Sequence, residues 1–296
     1  MSAVLVAAAL RWTDPRAVAH PLTGTAPGAP YAAGASPAER CALEQALRLA
    51  ERLGGRCLAV TVGPAGAEEM LREALAAGAH ETLRIEGPDT DEAATAHSLL
   101  AGLTAGGRPV PDVVVCGDRS VDRGTGATPA HLAARLGTAQ ALGLVELTVA
   151  DAADDGAGPA GLSLRAVRRL DGGRAEELRV VLPAVCSVEA GSVRPRRATL
   201  AAVLAARRAG IPVVRVADPE GAAVRVGRPR PYRPRPKALP APEGGTRRRL
   251  LALTGALVPP RTPPRVLTPD SPEEAARLLL AHLREHGVDV DGGVTP

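Results

Sequence analysis

Phenylalanine and asparagine are absent from the 296 residues, lysine occurs once, at Lys237, and isoleucine and glutamine occur twice each. With one Trp and two Tyr as the only aromatics, any core must be packed with Leu, Val and Ala. The missing types share AT-rich codons, so the bias reads as a GC-rich genome rather than as a functional signal. A single lysine also leaves no Walker-type G-x-x-x-x-G-K-[ST] loop and, Lys237 apart, no candidate for a Schiff base. No apolar run reaches the ~20 residues that span a bilayer, so no membrane insertion is expected. The run Ala3 to Leu10 follows Met1 without a basic segment and reads as a buried strand rather than a signal peptide, so the expected location is cytoplasmic. Cys41, Cys57, Cys116 and Cys186 are far apart among apolar neighbours and form no C-x-x-C pair, which favours buried free thiols.

What is present fits a folded chain: 45% hydrophobic and 23% charged residues, and a length that allows two domains of ~150 residues. The net charge of +4 is unevenly placed. Residues 1 to 189 carry 17 basic and 23 acidic side chains, residues 190 to 250 carry 15 and 3, and residues 251 to 296 carry 4 and 6, giving −6, +12 and −2. The basic stretch contains Arg225-Val-Gly-Arg-Pro-Arg-Pro-Tyr-Arg-Pro-Arg-Pro-Lys237, whose alternating prolines forbid helix and favour an extended arm. Such an arm suits a tether or a contact with another protein. Phosphate neutralisation along nucleic acid is the competing use, but only Tyr232 could stack on a base, so no nucleic acid is expected.

Along the chain, Ala3 to Leu10 reads as the first strand of a buried parallel sheet. Ser36-Pro37-Ala38-Glu39 opens a helix with Ser as N-cap, Pro at the first helical position and Glu39 completing a capping box, and Gly54-Gly55 ends it. Strands at Cys57 to Val62, Thr82 to Ile85 and Asp112 to Cys116 then alternate with helices at Glu68 to Ala77, Glu92 to Leu103 and Thr128 to Leu136. After about residue 140, Leu162 to Leu170 and Glu177 to Leu182 read as strands of an antiparallel hairpin turning at Asp171-Gly172-Gly173. Ala184 to Val188 is a further buried strand, Ala198 to Arg208 a helix, and Pro272 to Glu285 a last helix capped by Ser271. The expected fold is α/β, a doubly wound, mostly parallel sheet with an antiparallel hairpin and an extended C-terminal arm. The expected division is an α/β nucleotide-binding domain over 1–212 and an arm with a terminal helix over 213–296.

In doubly wound sheets, ligands bind beyond the carboxyl ends of strands. Here those ends are marked by Ala8, by Val62-Gly63-Pro64 and by Gly117, which opens Gly117-Asp118-Arg119-Ser120-Val121-Asp122-Arg123-Gly124-Thr125-Gly126-Ala127-Thr128 directly before a helix. Gly117, Gly124 and Gly126 let backbone approach a ligand closely, while Ser120, Thr125, Thr128 and the helix N-terminal N–H groups can hold phosphate. A plain tight turn would look alike. His131 follows one turn on with nothing in sequence to pair with it, so no catalytic set is indicated. His282-Leu-Arg-Glu-His286 has the H-x-x-E-H spacing of a zinc site, but such a site needs a third protein ligand, and a surface helix with two exposed histidines is the better reading, with no metal.

Several segments in the same order resemble the beta subunit of electron-transfer flavoproteins, over about residues 4 to 212. They are Ser36-Pro37-Ala38-Glu39 with the Ala- and Glu-rich helix after it, Gly63-Pro64 with Arg72-Glu73-Ala74-Leu75-Ala76-Ala77-Gly78-Ala79, and the loop Gly117 to Thr128. The turn Asp171-Gly172-Gly173, Leu182-Pro183-Ala184-Val185 and Arg194-Pro195-Arg196-Arg197-Ala198-Thr199-Leu200 complete the set. The resemblance implies a noncatalytic electron carrier. Its alpha subunit binds FAD, the beta subunit holds AMP or, in bifurcating relatives, a second flavin, and the pair carries electrons from a flavin-dependent dehydrogenase to a quinone-linked acceptor. Carried over by position, Ala8, Ser36, Pro37, Ala38, Glu39, Val62, Gly117, Asp118, Arg119, Ser120, Val121, Asp122, Arg123, Gly124, Thr125, Gly126, Ala127 and Thr128 surround the nucleotide. Ser192, Val193, Arg194, Pro195, Arg196 and Arg197 belong to the loop that recognises the dehydrogenase.

The chain departs from the family pattern within that loop, where the usual Leu-Asn-Glu-Pro-Arg-Tyr reads Ser192-Val193-Arg194-Pro195-Arg196-Arg197. The apolar anchor thus becomes Ser192 or shifts to Val193, and an acidic position becomes Arg. Asp118-Arg119 replaces the usual Lys-Gln, and Arg169 stands where a carboxylate is common. These changes point to a different dehydrogenase partner and a divergent branch. Two other functions fit parts of the sequence, a stand-alone adenine-nucleotide sensor and a nucleic-acid binder using the Pro-Arg arm.

Overall fold

A computed structural model of the chain describes residues 3–14, 18, 20–25, 33–150, 162–217, 227, 230, 233, 243–257 and 266–287. It divides into two compact units, Met1–Arg233 and Pro234–Pro296.

The first unit is built on a nine-stranded sheet. Its first strand, β1 (Leu5–Ala9), lies near the middle, and β2 (Trp12–Thr13) pairs antiparallel with β3 (Gly34–Ala35) just beyond it. There follow α1 (Pro37–Arg52), β4 (Arg56–Val62), α2 (Glu68–Ala77), β5 (Glu81–Glu86), α3 (Glu92–Thr104), β6 (Val113–Gly117) and α4 (Thr128–Leu136). The rest comprises β7 (Ala139–Val149), β8 (Ser163–Arg169), β9 (Ala175–Val181), β10 (Ala184–Val188), α5 (Leu200–Arg207) and β11 (Val213–Arg215). The strand order is β11-β5-β4-β1-β6-β10-β7-β8-β9. Every pair from β11 to β7 is parallel, and β8 and β9 extend the sheet antiparallel.

Period-two alternation along the central strands divides the core between the two faces. Val6, Ala8, Cys57, Ala59, Val113 and Val115 pack with residues of α1 and α2. Ala7, Ala9, Leu58, Val60, Val114 and Cys116 pack with residues of α3 and α4. α3 lies close on the sheet at Gly102, where a Cβ would stand 2.3 Å from Ile85 Cδ1 of β5. All four cysteines are buried and free, as their surroundings in the sequence indicate.

Local chemistry accounts for the helix starts. The Glu39 N–H donates to Ser36 Oγ at 3.3 Å while the Ser36 N–H donates to Glu39 Oε2 at 3.0 Å, so the expected capping box is complete. Ser36→Ala removes the hydroxyl acceptor, and a loss of about 1 kcal/mol is expected in chemical denaturation; an unchanged midpoint would show that the first turn of α1 is held by other contacts. α5 begins two residues later than the composition suggests because the Thr199 hydroxyl accepts the Ala202 N–H at 3.2 Å and takes the cap position.

Two strands of the sheet do not show in the sequence reading. β7 is eleven residues long, but it carries Gly143 at φ +68° and register shifts against both neighbours, so its alternation is broken. β11 is three residues long and pairs with β5 at the sheet edge, just past the boundary expected at 212. The second unit contains α6 (Thr246–Leu253), also unexpected, and α7 (Pro272–Glu285), whose Ser271 cap accepts the Glu274 N–H at 3.2 Å. The Pro-Arg arm at 225–237 lies outside the described residues apart from Gly227, Arg230 and Arg233.

Candidate functional site

The chain passes from β1 to β4 and β5 on one side, then crosses to β6 on the other, so β1 and β6 form the topological switch point of the sheet. Beyond their carboxyl ends the crossover connections diverge, which leaves a crevice. It is floored by Ala9, Leu10, Val62, Cys116 and Gly117 and walled by Glu39 of α1 and by Glu92, Thr95 and Leu99 of α3. Ser120, Arg123, Thr125 and Gly126 of the loop before α4 close the rim with Thr128 and Pro129 of α4 itself.

The loop holds its shape by internal bonds. The Ser120 N–H donates to Thr125 O at 2.8 Å, the Gly124 N–H to Ser120 O at 2.9 Å and the Arg123 N–H to Ser120 Oγ at 3.3 Å. Gly124 takes φ +67°, which L side chains adopt rarely, and a Cβ on Gly126 would meet Asp118 O at 2.1 Å. Gly117 lies against the first turn of α1, its virtual Cβ 3.3 Å from the Glu39 nitrogen. Glycine is therefore favoured at 124 by its positive φ and required at 126 by the approach of the Asp118 carbonyl, while at 117 a Cβ would be a tight fit.

Three side-chain contacts fasten the loop across the crevice. Arg11, just past β1, grips Asp122 with Nε donating to Oδ1 at 3.0 Å and Nη2 donating to Oδ2 at 2.6 Å. Thr125 donates its hydroxyl to Glu92, and Arg123 donates to the Asp89 carbonyl. Burial works against ionisation of Asp122, but the hydrogen bond and charge of Arg11 outweigh it and hold the carboxyl below its ordinary range. The Thr125 hydrogen bond likewise lowers Glu92. Burial and the nearby Glu189 push Asp118 up. Cys116, on the crevice floor, is pushed up to about 12, chiefly by burial, so its thiol is not a nucleophile at neutral pH.

Glu39 is buried at 4% exposure. Burial raises its pKa, against the hydrogen bonds with Ser36 and the charge of Arg11, which lower it. A carboxyl whose pKa rises on folding binds its proton more tightly in the folded state, so its effect on stability worsens as pH climbs from the ordinary carboxylate value through the raised one. Glu39→Gln keeps an oxygen acceptor for the Ser36 amide and removes the charge. The expected melting temperature at neutral pH equals or exceeds wild type, with a flatter dependence through the acidic range; a lower value at neutral pH would show that the Arg11 attraction dominates instead.

Of the residues expected from sequence, Glu39, Val62, Gly117, Ser120, Arg123, Thr125, Gly126 and Thr128 line this crevice. Ala8 is fully buried one residue short of it, and Ala9 and Leu10 form the floor instead. Ser36, Pro37 and Ala38 form the turn that presents Glu39, and Asp122 acts through Arg11. Asp118, Arg119, Val121, Gly124 and Ala127 belong to the loop without lining its inner wall, Val121 being 48% exposed. Sequence reasoning missed Arg11, which follows β1, and Glu92, Thr95 and Leu99, which reach the crevice on the crossover from β5 to β6. The Ser-Val-Arg-Pro-Arg-Arg segment divides differently. Val193 is buried in the core, its carbonyl accepting the Cys41 thiol at 3.3 Å. Ser192 is half-buried, Arg194, Pro195 and Arg197 are exposed, and Arg196 turns back onto α1.

Residues 32–219 match the electron transfer flavoprotein domain. The chain belongs to the electron transfer flavoprotein family. Among curated relatives, it is 31% identical to Protein FixA of Rhizobium meliloti over 194 residues, 64% of each chain. It is 32% identical to the electron transfer flavoprotein subunit beta of Sus scrofa over 186 residues, 60% of this chain and 66% of that one. It is also 33% identical to the acryloyl-CoA reductase electron transfer subunit gamma of Anaerotignum propionicum over 120 residues, 40% of this chain and 45% of that one. The chain thus spans 64–67% of the length of the FixA proteins it matches. Among the described residues, no helix is long and apolar enough to cross a membrane. The only group of three or more metal-binding side chains clustered among them is His282, Glu285 and His286, all exposed on the last turn of α7.

Proposed function

We propose that this chain is the beta subunit of a two-chain electron-transfer flavoprotein, a carrier rather than an enzyme. FAD is shared with an alpha subunit, electrons enter from a flavin-dependent dehydrogenase and leave toward a quinone-linked acceptor, and the pair works in the cytoplasm. The crevice at the β1/β6 switch holds AMP. One observation carries the nucleotide reading: α4 opens on this crevice with no side chain capping its N-terminus, whereas α1, α3 and α5 are each capped by their own Ser, Asp or Thr; α2 is uncapped too, but none of its residues lines the crevice. Uncapped N–H groups beside Ser120, Thr125, Thr128 and Arg123 suit a phosphate. The apolar floor of Leu10, Val62 and Leu99 suits a base, and the Glu39 and Glu92 carboxylates suit ribose hydroxyls.

The crevice encloses about 60 Å³ with the loop fastened. Among the described residues no aromatic side chain lines it, and the isoalloxazine ring is assigned to the interface with the alpha chain. When bound there, FAD supplies the one- and two-electron chemistry, and this chain's residues supply position and electrostatics.

Expression alone is expected to give a colourless chain, and co-expression with an alpha subunit a yellow complex. A co-purified pair that binds no flavin would sink the proposal. A colourless chain that on its own releases stoichiometric AMP or ATP would favour the stand-alone nucleotide sensor, which the location of the whole crevice within one chain also suits.

A further inference from the structure

The last turn of α7 carries a side-chain group that the electron-carrier reading does not use. His282, Glu285 and His286 stand at i, i+3 and i+4, the spacing that brings side chains together on one face of a helix. A ring nitrogen of each histidine and a carboxylate oxygen of Glu285 lie within 4.8 Å of one another, and all three residues are exposed. In sequence the histidine pair lacks a third protein ligand. The turn supplies one as Glu285, which makes a His2Glu donor set.

The surroundings of the group favour a cation. His286 Nδ1 lies 2.9 Å from the His282 carbonyl oxygen. A carbonyl oxygen only accepts, so the proton sits on Nδ1 and Nε2 keeps its lone pair for a metal. The same bond orients the ring, as backbone carbonyls commonly do for metal-bound histidines. The two imidazole centroids are 4.2 Å apart with the rings tilted by 52°, so the pair is adjacent without being stacked. Among the described residues no ion pair engages Glu285, and the carboxyl end of the helix adds its own partial negative charge. Arg284 stands about 200° around the helix from each histidine, away from the donor set. On one flank His282 and Glu285 border a cleft of about 380 Å³ walled by Leu267, Leu278 and Leu279, which limits competition from water on that side.

We propose that His282, Glu285 and His286 bind one zinc ion at the end of α7, with water in the fourth position. Tetrahedral zinc holds its donors about 3.3 Å apart, a contraction that exposed side chains make by small rotations. Two imidazoles suit zinc and neighbouring first-row ions, whereas magnesium and calcium prefer all-oxygen sets. The bound ion clips the final turn, where the helix leaves its last carbonyls without intrahelical partners. Nothing in this site depends on the nucleotide crevice or on the electron-carrier reading.

The test is calorimetric titration of the full chain, purified without an affinity tag and stripped with a chelator, with zinc chloride in excess magnesium. One zinc per chain is expected to bind with a dissociation constant in the micromolar range. Removing a ligand costs at least as much as removing a group that orients one, so His282→Ala and His286→Ala are each expected to weaken binding about tenfold or more, with Glu285→Gln weakening it in the same direction. His20, His80, His97 and His131 remain in every variant, so the residual binding measures their share. Cobalt chloride is expected to give the strong visible absorption of a tetrahedral ion, bleached by zinc and absent from the histidine variants. The three side chains are exposed, so melting in metal-free buffer should match wild type for His282→Ala and Glu285→Gln. Affinity indifferent to all three substitutions, one zinc per two chains, displacement by magnesium, or no binding overturns the site.

Discussion

Gly126→Val is expected to abolish nucleotide retention while leaving the flavin of the two-chain complex in place. The position has no room for a Cβ, which would stand 2.1 Å from the Asp118 carbonyl oxygen, and backbone at that distance cannot give way as a flexible side chain could. The turn must open, and with it go the Ser120–Thr125 bond and the alignment of Thr125 and Thr128 toward the uncapped start of α4. Nucleotide per chain after purification should fall from near one to near zero. The rest of the sheet lies behind the loop, so the far-ultraviolet spectrum should be unchanged. Full retention would place the nucleotide elsewhere.

Glu44→Ala is expected to free the loop at 189–197 from α1. Glu44 is 3% exposed, and its carboxylate takes Arg196 Nε at 2.8 Å, the Arg196 backbone N–H at 3.1 Å and Arg48 Nε at 2.7 Å. Burial works against its ionised form, but the hydrogen bonds from Arg196 and Arg48 prevail and lower its pKa. The stabilisation is thus fully present above the ordinary carboxylate pKa and is lost as pH falls through the lowered one. Removing one partner of a buried pair costs about 3–5 kcal/mol; because Arg196 is half-exposed and keeps Glu51, about 2 kcal/mol is expected here. Trypsin cleavage after Arg197 should accelerate markedly. Equal cleavage rates in variant and wild type would mean that the Cys41–Val193 contact alone holds the segment.

Much of the fold was legible because its signals are local. The Ser36 capping box, the Gly78 C-cap and the Ser271 cap each mark a helix end by hydrogen bonds made within one turn. β7 was not legible, since a bulge at Gly143 erases the alternation by which a strand is recognised. β11 is too short to carry a pattern, and its place is set by pairing with β5. The site divides in the same way. The Gly117 to Thr128 loop stands out because strand, glycines and helix follow in sequence. Arg11 and Glu92 join it through contacts spanning 111 and 33 residues, which depend on strand order and not on any neighbouring motif. The Ser192 to Arg197 segment could be aligned from sequence, but only packing shows Val193 turned inward and Arg196 paired with Glu44 and Glu51.

The most direct measurement is the flavin and adenine nucleotide released by heat from the purified complex of this chain with an alpha subunit, quantified side by side for wild type and Gly126→Val. The account predicts one FAD and one AMP per wild-type pair, and FAD without AMP for the variant. A wild-type pair that releases no flavin, or a variant that releases as much AMP as wild type, would contradict it.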